Sequence, residues 1–127
     1  MNHHHETLVQ VCALLSKVPG VTVQSHHERP GVSRIAFSVQ ETESARALQH
    51  AALGANVAIE PWKKGVFELL PGSYAFVAST KLRDGFESGE LQLLGIHLAW
   101  YLHRIGRLET SRANAMLKPW GAVQVGV

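Results

Sequence analysis

The sequence predicts an α+β domain in which a mostly antiparallel sheet of about five or six strands carries two or three helices on one face. Three features lead there. Apolar residues recur three or four apart near both ends of the chain, apolar and polar residues alternate between those stretches, and Pro19-Gly20, Pro30-Gly31 and Pro71-Gly72 divide the segments. Proline presets the φ of a turn, and glycine accepts the positive φ that often follows.

The first helix is expected from Glu6 to Val18, where Leu8, Val11, Cys12, Leu15 and Val18 share one face. Val21 and Val23, then Ile35, Phe37 and Val39 beyond the Glu-Arg-Pro-Gly turn, alternate with polar or small residues and predict a hairpin. A short second helix opens at Thr42 and closes near Gly54, with Ala45, Leu48 and Ala52 as its stripe. Val57 and Ile59, Val66 to Leu70, and Tyr74, Phe76 and Ala78 predict three more strands in a meander. Ser88 is placed as the N-cap of a long helix running to about Gly106, with a further helical turn or two between Ser111 and Leu117. Residues 119–127 form a tail in which Val123, Val125 and Val127 alternate, and it is expected to dock as a strand. The predicted order is helix, two strands, helix, three strands, helix with a short helical sequel, and a last strand.

One domain is expected over residues 1–127, since 127 residues that are 46% hydrophobic and 17% charged can bury a core. His3, His4 and His5 are set apart with the first two residues as a flexible or added extension. The stretch from Val32 to Thr80 is similar in its strand-helix-strand-strand-strand order to one half-module of the glyoxalase and bleomycin-resistance type. That likeness covers less than half the chain, and no metal-binding His or Glu stands beside Ile35 to match the family, so it assigns no membership.

Twelve basic and ten acidic residues leave a net charge of +2, too even a balance to gather phosphates over a broad surface, so nucleic-acid binding is not expected. The lone Cys12 excludes an internal disulfide and sits among apolar neighbours as a small core residue. The longest apolar stretch, near Leu91 to Leu102, is interrupted by Gln92 and His97. Neither membrane spanning nor secretion is predicted, and a cytoplasmic location is expected.

The chain has no phosphate-binding Gly-Lys-Ser or Gly-Lys-Thr loop, no Gly-x-Ser-x-Gly elbow and a single aspartate, Asp84. Candidate chemistry therefore rests on scattered groups. Glu90, His97, Tyr101 and Arg104 share a narrow arc of the long helix, placing an acid, an imidazole, a phenol and a guanidinium in one row beside the apolar face of Leu91, Leu94, Leu98, Leu102 and Ile105. Facing a cleft, with Tyr74 and Trp100 as lining, the row could hold an anion and move a proton. Its bland counterpart is a solvated helix face.

His26, His27 and Glu28 supply nitrogen and oxygen donors for a metal, but adjacent strand residues point to opposite faces. His97 and His103, six apart on a helix, lie about 120 degrees from alignment. No cofactor is predicted, and the Met1-Asn2-His3 terminus that could take copper(II) or nickel(II) is adventitious. Gly95, Ala99 and Gly106 form a strip of small residues suited to close helix packing, either under the first helix or across a dimer axis. With Trp120, Val123 and Val125 of the tail they make the expected interface. The functional expectation is a non-enzymatic interaction module working as a homodimer. Its alternative is a small-molecule-binding protein or simple acid-base enzyme with a pocket between the long helix and the sheet.

Overall fold

The first helix, α1, spans His3–Ser16 and begins inside the histidine triplet rather than after it. The structure, a computed structural model, describes residues 3–29, 32–40, 48–49, 57–71 and 85–126. The stripe of Leu8, Val11 and Leu15 continues one turn toward the N-terminus through His4 and Thr7, both buried. Thr7 donates its hydroxyl to the His3 carbonyl at 2.8 Å, closing the opening turn. After α1, Gly20 takes φ 78°, which reverses the chain at little steric cost.

Strand β1 (Val21–Arg29) and strand β2 (Val32–Val39) form the expected antiparallel hairpin. A bulge between Val23 and Ser25 resets the alternation, so that His26 lies opposite Ile35 and His27 opposite Arg34. Strand β3 (Val57–Lys63) and strand β4 (Val66–Pro71) make a second antiparallel hairpin, turned at Gly65 with φ 76°. β4 then pairs with β2, Ile35 opposite Leu69 and Phe37 opposite Phe67, giving the order β1-β2-β4-β3.

The described sheet thus has four antiparallel strands instead of five or six. Two causes account for the difference. The strand predicted over Tyr74, Phe76 and Ala78 lies outside the described residues, and the tail up to Gly126 forms no strand. Of the predicted second helix only Leu48 and Gln49 are described; both are helical, and Leu48 is fully buried.

Helix α2 spans Ser88–Arg104 and helix α3 spans Thr110–Leu117. α1 touches β1, β2 and α2, and α3 packs on α2. α1 and α2 run parallel: His4 meets Ser88, and two turns further along Val11 meets Gly95. Ile35, Phe37 and Leu69 from the sheet, Leu8, Val11, Leu14 and Leu15 from α1, and Leu91, Leu94, Leu98 and Leu102 from α2 belong to one continuous core. Each such fully buried side chain contributes about 1.5–3 kcal/mol relative to exposure. Every helix described is too short or too polar to cross a membrane.

Candidate functional site

α2 opens one residue earlier than its predicted cap. Glu87 is the N-cap, and the Glu87 backbone N–H donates to Glu90 Oε1 at 3.0 Å in a capping box. Glu90 is therefore a helix-starting residue. Ser88, freed from capping, hydrogen-bonds through its hydroxyl to His4 Nδ1 at 2.7 Å. At the other end Gly106 takes φ 77°, with Gly106 N–H on the His103 carbonyl at 3.1 Å and Arg107 N–H on the Leu102 carbonyl at 2.8 Å. This is a Schellman ending, and it explains Gly106 by backbone conformation, since a Cβ there would meet open space.

Of the four groups of the predicted catalytic row, Tyr101 and Arg104 meet, while His97 and Glu90 have other partners. His97 meets Trp100 edge to face, ring centroids 5.1 Å apart, and Arg104 lies over the Tyr101 ring at 5.7 Å. Burial lowers the His97 pKa below its ordinary 6.5, which keeps the imidazole neutral at pH 7. Glu90 is engaged in the cap, and Tyr74, the expected lining residue, lies outside the described residues. Trp100 turns its indole N–H to the Val123 carbonyl at 2.9 Å, so its polar edge serves the tail.

The small-residue strip is used within the chain. A Cβ on Gly95 would stand 2.7 and 2.9 Å from two atoms of the Trp120 ring and 3.3 Å from Val11 Cγ2, and Ala99 is fully buried in the core. Trp120 reaches this place because α3 ends in a second Schellman turn at Gly121, φ 69°, with Ala122 N–H on the Leu117 carbonyl at 3.1 Å. The tail then runs back over the helices. Val125 donates its N–H to Asn114 Oδ1 at 2.8 Å and accepts from Asn114 Nδ2 at 3.2 Å, a side-chain amide taking the place of a strand neighbour. The tail up to Gly126 thus lies on helices rather than pairing as the expected strand, and Val123 remains 77% exposed.

His26 and His27 are exposed, and Glu28 Oε2 lies 2.6 Å from His5 Nδ1. His103 Nε2 bonds Thr110 Oγ1 at 3.0 Å, tying α2 to α3. Among the described residues no three His, Cys, Asp or Glu side chains gather around a point where a metal could sit. Burial pushes the Cys12 thiol up to about 11, far from a nucleophile's range.

The arrangement absent from the sequence reading is the node around His4. Its Nε2 bonds Ser33 Oγ at 2.5 Å while Nδ1 bonds Ser88 Oγ, so one buried imidazole joins α1, β2 and α2. Serine hydroxyls donate or accept as needed, and either tautomer is satisfied. Ser33 also exchanges both backbone hydrogen bonds with Phe86, at 2.9 and 2.6 Å, and Gly85 approaches the Ser33 carbonyl so closely that any Cβ would collide with it. The signal was the helical spacing of His4, Leu8, Val11 and Leu15, which extends the stripe by one turn. Family models, curated proteins and solved structures give no match to this chain.

Proposed function

We propose that the protein is a binding module that self-associates as a homodimer through the outer face of α2 and the tail beside it. The observation that carries this reading is the outward row Leu93, His97, Trp100 and Arg104. These residues are spaced four, three and four apart, about 3.7 residues on average, so they fall along one face of the helix. Leu93 is 41% exposed, Trp100 is half-buried, and Val123, 77% exposed, stands next to Trp100. Exposed apolar side chains on one helix face are candidates for association, and aromatic residues concentrate in the cores of interfaces. With His97 neutral, Arg104 at one end is the charge this row carries at pH 7.

An antiparallel pairing of α2 with its symmetry mate brings Trp100 of one copy toward His97 of the other and Leu93 toward the aliphatic stem of Arg104. Such a contact is self-complementary, as a two-fold interface must be. Sedimentation velocity on the wild type, Leu93→Glu and Val123→Asp tests it. The expected result is a dimer that dissociates in both variants while far-ultraviolet circular dichroism is unchanged. A wild type that sediments as a monomer at the highest soluble concentration counts against the reading.

A further inference from the structure

The parallel course of α1 and α2 brings their C-terminal ends to one place, above the start of the first hairpin. There the chain leaves a cavity of about 370 Å³, open to solvent and lined by Lys17, Val18, Gly20, Thr22, Gln40 and Arg107 among others. That volume lies in the range of small-molecule sites, about 300–1,000 Å³. Among the described residues of the lining, Lys17 and Arg107 are the charged ones, and no described carboxylate accompanies them. Neither forms an ion pair among the described residues.

Backbone geometry fixes both positions. Lys17 N–H donates to the Leu14 carbonyl at 3.0 Å, Arg107 N–H closes the Schellman turn of α2, and Gln40 N–H donates to the Gly20 carbonyl at 2.8 Å across the mouth. A single cation at a helix end complements the dipole and needs no ligand. Here two full positive charges, from the ends of two different helices, line one concavity together with Thr22 and Gln40, and they exceed the partial negative charge of about half a unit at each helix end.

We propose that this cavity binds the phosphate group of a small molecule, with Arg107 as the forked donor, Lys17 as the second charge, and Val18, Pro19 and Val21 as the apolar floor for the remainder. Arg presents paired N–H groups that match phosphate oxygens, and Lys adds a point charge. The site is separate from the α2 face and stands whether or not the chain dimerises.

The test is a titration of the full chain with inorganic phosphate at constant ionic strength, followed by amide chemical shifts, beside the Arg107→Gln and Lys17→Ala variants. The expected result is saturable movement of the Gly20, Thr22, Gln40 and Arg107 amides, with affinity reduced at least about tenfold in Arg107→Gln, as loss of a charge-assisted hydrogen bond implies. Both substituted residues are exposed, so the variants retain the wild-type spectrum elsewhere. Shifts that never saturate, or that survive in both variants, overturn the proposal. Vesicles containing phosphatidic acid separate two sources of the same chemistry: cosedimentation assigns a lipid headgroup, and its absence with phosphate still saturating assigns a soluble phosphate ester.

Discussion

The Trp120 ring lies over Gly95, close enough that a Cβ there would come within 2.7 Å of it. Gly95→Ala gains helix propensity of about 1 kcal/mol, yet it forces the rigid indole or Val11 to move, and overpacking of this kind costs about 1–3 kcal/mol. The net expectation is a lower melting temperature together with a red-shifted, more exposed tryptophan emission. Unchanged emission and a raised melting temperature would mean that the ring does not rest there.

His4 is buried between two serine hydroxyls, with Ser33 fully enclosed. His4→Ala leaves the Ser33 hydroxyl without its partner and opens a void, and an unsatisfied buried polar group costs about 1–3 kcal/mol. Urea unfolding is expected to show that loss at constant m, whereas His3→Ala, at an exposed neighbour, leaves the midpoint unchanged.

Asn114 holds the tail through both hydrogen bonds to Val125. Asn114→Ala is expected to accelerate amide exchange from Ala122 to Gly126 severalfold while the protection of α1 and α2 persists. Equal exchange in both proteins would show that apolar contacts alone retain the tail.

Burial lowers the His97 pKa below 6.5, so the unfolded chain binds a proton there at a higher pH than the folded chain. Below about pH 6.5 the unfolded state holds more protons, and stability falls as pH falls; above it both states are neutral and His97 contributes nothing. The ring it meets is that of Trp100, edge to face, while the Arg104 guanidinium lies over Tyr101. His97→Phe is expected to diminish the difference in thermal stability between pH 7.5 and pH 5.5. A variant with the full wild-type pH dependence would assign that dependence to the other seven histidines.

The elements that local rules govern were legible in the sequence. The Pro19-Gly20 stop, the β1–β2 hairpin and the α2 ending at Gly106 follow from spacing and from residues that accept special φ values. What stayed hidden depends on partners distant in the chain. His4 looked like part of an appended triplet because its reason for being there, Ser33 and Ser88, stands 29 and 84 residues away. Ser88 resembled a cap because serine does both jobs equally well, and only the neighbouring imidazole decides between them. Gly95 and Ala99 announced close packing without naming the occupant, which proved to be Trp120 and α1. The valine alternation of the tail suggested a strand, but Asn114 offers the backbone pairing that a sheet would have supplied. Sheet order likewise arises from pairing between hairpins, which no local pattern encodes.

The most direct measurement is a native mass spectrum of the full chain, recorded beside that of Leu93→Glu at matched concentration. Self-association through the outer face of α2 predicts twice the chain mass for the wild type and the single chain mass for the variant. A wild type found at the single chain mass, or a Leu93→Glu protein that stays paired, would contradict it.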